Sequence, residues 1–172
     1  LAAGRNSLIT LGADAAEASS AFEAIASVQG LSWGEKNVTA ALYLGAPIEV
    51  AGKIVVDGSL TDATSVASTY PDVATIYVAN QGILIVSQSQ GSSDTSMIAG
   101  TLSVADGSYI GVTNATEGTF KLADTITGTT KVVTDNPFIE GEISTADGTL
   151  TNTLNADSGL SALASLTALI QG

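Results

Sequence analysis

The run from Asp72 to Gln90, DVATIYVANQGILIVSQSQ, restricts the possible folds of this chain more than any other stretch. Ile76-Tyr77-Val78 and Ile83-Leu84-Ile85-Val86 are apolar at consecutive positions. A strand with one wet face alternates apolar and polar side chains, so two strands without alternation are covered on both faces. Asn80-Gln81-Gly82 separates them. Asn and Gly tolerate positive φ, so the spacing predicts a tight antiparallel hairpin, Ala74 to Ala79 paired with Ile83 to Gln88. Such a hairpin sits in the middle of a sandwich or barrel, or is covered in part by another copy of the chain.

The flanks repeat the pattern of short strands between turns. Leu8 to Leu11, Asn37 to Leu44, Ile48 to Val50, Lys53 to Val56, Met97 to Val104, Tyr109 to Thr113, Thr119 to Ile126, Lys131 to Thr134, Phe138 to Ser144 and Thr149 to Leu154 all read as strands. Asp57-Gly58, Asp106-Gly107 and Asp147-Gly148 are turn signals. No repeat of fixed period is visible, which argues against a solenoid. Two segments have helical spacing. Asp14 with Glu17 three residues on caps a short N-terminal helix from Ala15 to Val28, closed by Gly30, with Ala18, Phe22 and Ile25 on one stripe. Leu160, Leu163, Leu166, Leu169 and Ile170 mark a C-terminal amphipathic helix within 157–172. Burying those five side chains would contribute on the order of 8 to 15 kcal/mol before entropy is subtracted. The expected fold is therefore mainly β: one antiparallel β-sandwich or barrel over residues 1–172, with residues 1–12 as an N-terminal strand or arm.

At 172 residues the chain suits one domain. Five Lys and Arg stand against 17 Asp and Glu, a net charge of −12, which opposes attraction to a nucleic-acid backbone. Charged residues make up 13% of the chain, about half the usual share, so the expectation is that much of the surface faces other protein. The absence of Cys and His removes thiolate and imidazole chemistry and zinc sites of that type, and no cofactor or metal motif is present. No uncharged run qualifies as a transmembrane helix, so no membrane span is expected. The first residue is Leu rather than Met, as after removal of a leader or trimming.

Few residues suggest chemistry. Glu140 and Glu142 lie two apart in a strand, about 7 Å apart at the backbone on one face. That spacing suits a glycosidase pair or half a calcium site, and a solvated acidic face suits it better. Trp33 is a sugar platform or, more commonly, an interface or core residue. Asn37-Val38-Thr39 and Asn114-Ala115-Thr116 are glycosylation acceptors if the chain is exported.

Gly4-Arg5-Asn6-Ser7-Leu8-Ile9-Thr10-Leu11-Gly12, followed by Phe22-Glu23-Ala24-Ile25-Ala26-Ser27-Val28 and Asn37 to Thr39, resembles the opening of tail tube proteins of tailed bacterial viruses. Pro137-Phe138-Ile139-Glu140-Gly141-Glu142-Ile143 is similar to a further segment of some of them. The resemblance implies a ring-forming β-sandwich whose long hairpin lines a stacked tube in the virion, with an acidic lumen that lets DNA slide through without specific binding.

The lead expectation is thus a non-enzymatic structural subunit that self-assembles into a tube or filament with copies of itself. Ile76, Val78, Ile83, Ile85, Leu8 and Leu163 are the expected assembly residues. An exported filament, pilus or surface-layer subunit joined by strand complementation is the alternative, with Asn37 and Asn114 as glycan sites. A secreted carbohydrate-binding domain using Glu140, Glu142 and Trp33 stands third.

Overall fold

The computed structural model describes residues 1–33, 37–61 and 69–155. In chain order these form β1 (Ala2–Ala3), β2 (Ser7–Leu11), α1 (Ala15–Gln29), β3 (Ala40–Leu44), β4 (Ile48–Glu49), β5 (Lys53–Asp57), β6 (Thr75–Ala79) and β7 (Gly82–Ser87). They continue with β8 (Ile98–Val104), β9 (Tyr109–Thr113), β10 (Gly118–Lys121), β11 (Ala123–Thr127), β12 (Lys131–Thr134), β13 (Ile139–Ser144) and β14 (Thr149–Leu154).

Most strands fall where the sequence signals put them, but the expected single strand from Thr119 to Ile126 breaks at Leu122 into β10 and β11 of two different sheets, and the pairing of the strands departs from expectation. One sheet has the order β1-β5-β6-β8-β11, with β4 beside β8, and a second has the order β12-β9-β7-β3-β2. Every pairing in these two sheets is parallel. From β6 onward the chain alternates between them, β6 to β7, β8 to β9 and β11 to β12, so two facing parallel sheets are wound by one coiling chain. The fold is mainly β as expected, but it is not an antiparallel sandwich, and it has the coiled character that the missing period argued against. Strand starts along the coil lie 23 and 25 residues apart in one sheet and 27 and 22 in the other. That irregularity hides the repeat.

The predicted hairpin of β6 and β7 is the clearest correction. Asn80 (φ 49°) and Gln81 (φ 68°) both take left-handed conformations, and they carry the chain from one sheet to the other instead of folding it back within one. The two strands consequently meet through side chains: Ile76 and Val78 share one core with Leu84 and Val86. In place of each other, β6 pairs β5 and β8, and β7 pairs β3 and β9.

The reading that both faces of β7 are covered holds, for a reason absent from the sequence argument. Leu84 and Val86 face the inter-sheet core, whereas Ile83 and Ile85 pack with Ala41, Tyr43, Val133 and the helix residues Ala18, Ala21 and Ile25. α1 crosses from β2 to β3 over the outside of that sheet. Each of these large side chains contributes about 1.5–3 kcal/mol on burial. Asp14 caps the helix by accepting from Glu17 N at 2.7 Å, and Gly30 (φ 67°) ends it by donating to Ala26 O. This is the only helix of more than one turn among the described residues, and the expected helix containing Leu163 lies outside them.

The last part of the chain closes one end of the coil. β10, β14 and β13 form a three-stranded antiparallel sheet whose Phe120, Leu150 and Ile139 join the main core. Gly141 lets β13 lie against β12, since a Cβ there would stand 2.3 Å from Val132 Cγ1. Gln88 Oε1 accepts from Thr116 N and Asn152 Nδ2, tying the end of β7 to this cap. Among the described residues, no helix is long and apolar enough to cross a membrane.

Candidate assembly surface

The opposite end of the coil carries no such cap among the described residues. β2 is the outermost strand of its sheet and β1 of the facing one. Gly45 N–H donates to Leu11 O, and Leu11 is in register with Leu44, which assigns the odd residues of β2 to bonds with β3. Successive residues in a strand point their amides to alternate sides, so Leu8 and Thr10 direct N–H and C=O to the open side. A row of unpaired backbone groups there is a template for another strand.

Apolar side chains border this edge on both faces of the sheet. Ile9 and Leu11 are half-buried against the inter-sheet core. Across the sheet, Leu8 lines a shallow hollow of about 440 Å3 with Asn6, Ser19, Phe22, Glu23 and Trp33. Phe22 and Trp33 meet edge to face, with ring centroids 5.2 Å apart. Leu1, at the end of β1, is 68% exposed. No residue from Asn6 to Ala13 carries a charge.

Of the residues expected at an interface, Ile76, Ile83 and Ile85 are 0% exposed and Val78 is 1% exposed within the single chain. They are core, and no second copy is needed to shelter them. The cause is the parallel coil itself, which places a facing sheet on one side of β7 and α1 on the other. Among the described residues of the set, Leu8 alone lies at an open edge. Leu163 lies outside the described residues.

Glu140 and Glu142 project from the exposed side of β13 beside a cleft of about 410 Å3 that Lys131 also lines. Trp33 packs on Phe22, away from that pair, so the three residues of the carbohydrate reading do not converge. Asn37 Nδ2 donates to Gly30 O, and Asn114 Nδ2 donates to Ser87 Oγ while its backbone N donates to Asp135. Asp147 accepts from Thr149 N and Oγ1, the turn role expected of an Asp-Gly pair; these bonds hold its carboxyl below the usual range.

One buried polar cluster leaves almost no trace in the sequence. Asp57, 3% exposed at the end of β5, accepts from Ser59 N (2.7 Å), Ser59 Oγ (2.6 Å) and Asn80 Nδ2 (2.9 Å) through one oxygen, and from Tyr70 OH through the other. Burial alone would raise its pKa, but the hydrogen bonds from Ser59, Tyr70 and Asn80 outweigh it and hold the carboxyl low. Burial and the Asp57 carboxylate together push the Tyr70 phenol upward. Tyr70 also packs against Tyr77 in a tilted ring pair with centroids 4.8 Å apart and accepts from Lys53 Nζ at its carbonyl. The cluster clamps the turn after β5 to the turn after β6, and Asp-Gly followed by Ser was its only local trace.

No family model, curated protein or solved structure matches this chain. The fold defines the class at hand, a coil of parallel strands capped at one end, with β1 and β2 outermost at the other among the described residues.

Proposed function

We propose that the chain is a non-enzymatic structural subunit that self-associates, working as part of an exported surface or fibre-like assembly. The observation that supports this reading is the asymmetry of the two ends. A dedicated antiparallel sheet covers the last turn of the coil, whereas among the described residues the first turn has no strand beyond β2 and presents half-buried Leu8, Ile9 and Leu11. A strand added there would satisfy backbone groups and shelter apolar side chains in one step. The strongly acidic remainder keeps copies apart elsewhere.

The virion tube version of this function rests on a long hairpin from each subunit. β6 and β7 do not form one, so the exported-assembly version has the better physical support. The test is sedimentation and negative-stain microscopy of the purified full chain over a wide concentration range. Discrete oligomers or fibres are expected, and a strictly monomeric species at high concentration would overturn the reading.

A further inference from the structure

We infer that Asp106-Gly107, alone among the three Asp-Gly pairs of the chain, is a site of spontaneous covalent rearrangement in the folded protein, where the backbone moves from the α- to the β-carboxyl of Asp106. The inference stands apart from the self-association proposed above and needs no second copy.

The chemistry follows from the residue types. Gly carries no Cβ to shield its amide nitrogen, and its backbone freedom brings that nitrogen toward the carboxyl carbon of the preceding Asp. The Gly107 nitrogen bonds to Asp106 Cγ, the Cγ–OH bond breaks, and the hydroxyl leaves with the amide proton as one water. Water then adds to the cyclic imide at either carbonyl. Opening at Cγ restores the original chain. Opening at the α-carbonyl breaks its bond to the Gly107 nitrogen and leaves an isoaspartyl link with a free α-carboxylate. One water is lost and one regained, so mass and net charge are unchanged and no oxidant is consumed.

Structure decides which pair can react. Asp57 is 3% exposed, its carboxylate accepts four hydrogen bonds, Gly58 N donates to Ala79 O, and a Cβ on Gly58 would clash with Thr39 Oγ1. Asp147 is exposed, but its Oδ1 is held by Thr149 N and Oγ1. Its neighbour Gly148 is buried, accepts from Leu122 N and Ala123 N, and would clash with Ala123 O if it carried a Cβ. In both pairs the local structure must open before nitrogen and Cγ can meet. Asp106 and Gly107 instead lie exposed at the tip of the crossing from β8 to β9, a turn that Ser108 N closes on Ala105 O at 3.2 Å. With φ 84° at Gly107 it is a type II turn, whose middle amide, that of Gly107, takes no part in the closing bond. A Cβ on Gly107 would meet nothing within 4 Å. Lys131 and Tyr109 share a hollow of about 440 Å3 with Asp106, but among the described residues the Asp106 carboxyl takes part in no ion pair and no hydrogen bond.

The isoaspartyl link adds one methylene to the main chain between two anchors. Ser108 N and Ala105 O lie on either side of it, and Gly107 O accepts from Gln81 N at 3.2 Å, which ties this crossing to the one between β6 and β7. Both bonds are displaced in the rearranged form.

The test ages the purified full chain in mildly acidic water enriched in heavy oxygen, a condition that favours the neutral carboxyl under attack. Peptide mass spectrometry then maps heavy-oxygen uptake and isoaspartate, with a parallel sample in guanidinium chloride. In the folded chain the Asp106 peptide should convert about tenfold or more faster than the Asp57 and Asp147 peptides, which must first open locally, and in denaturant the three rates should converge. Asp106→Glu requires a larger, slower-forming ring, and it should abolish uptake at that peptide while circular dichroism stays that of the parent. Amide exchange at Gln81 and Ser108 should be faster in the aged chain than in the fresh one. Conversion of Asp106 only in denaturant, equal conversion of all three pairs in the folded chain, or uptake that persists in Asp106→Glu would overturn the inference. Unchanged exchange at Gln81 and Ser108 after conversion would overturn the displacement of the crossing.

Discussion

Asp57 is the residue on which the local architecture depends most. Its four hydrogen bonds join the turn after β5, the turn after β6 and Tyr70, all around a carboxylate that is almost wholly buried. Asp57→Asn puts an amide among donors, and a urea titration should show a loss of about 2–3 kcal/mol, the scale of hydrogen bonds to a charged group. The pKa of Asp57 is lowered in the folded chain, so its contribution is complete above the unfolded value of about 3.9 and disappears as pH falls through the lower folded value. The urea midpoint of the parent should accordingly drop on acidification, and part of that drop should be missing in Asp57→Asn. Glu140 and Glu142 offer the contrast. Both are exposed on β13, and Gln at either should move stability by no more than about 0.5 kcal/mol. Gly141 between them behaves differently, because a Cβ would meet Val132 Cγ1 at 2.3 Å and Asn152 Oδ1 at 2.9 Å. Gly141→Ala should cost about 1–3 kcal/mol by overpacking.

At the scale of elements, α1 shows what the sequence could and could not disclose. Its start at Asp14, its end at Gly30 and the buried stripe of Ala18 and Ile25 are legible because capping and a 3.6-residue period are local signals. Asp14→Ala should cost about 1 kcal/mol, and Ile25→Ala about 2–5 kcal/mol because it opens a cavity against Ile83, Ile85 and Tyr43; chemical denaturation measures both. What α1 covers was not legible, since that depends on β3 and β7 lying side by side. Strand positions were read well for the same local reason. Pairing was not, because a short turn at Asn80-Gln81 serves equally to fold a hairpin or to carry the chain to a facing sheet. One signal did point the right way. Continuous apolar runs such as Ile83 to Val86 are typical of parallel strands buried on both faces. Reading those runs as evidence of parallel pairing would have corrected the fold class, and with it the choice of Ile76, Val78, Ile83 and Ile85 as surface residues.

The whole molecule has two unlike ends. One is closed by β10, β14 and β13, and the other, among the described residues, ends in β1 and β2 with the outward backbone groups of Leu8 and Thr10 at its edge. Among the described residues of the expected assembly set, only Leu8 stands at that open end. The bare edge could not be read from the chain, because an edge is defined by what fails to pair in space. Low charge density was the part of the signal that sequence did carry, and the uncharged run from Asn6 to Ala13 is where it meets the surface. If this edge draws copies together, sedimentation equilibrium of the full chain should return a mass that rises with concentration from 17.1 kDa toward at least twice that value. Thr10→Pro should hold it near 17.1 kDa. A parent chain that stays at the monomer mass up to high concentration would contradict that attraction.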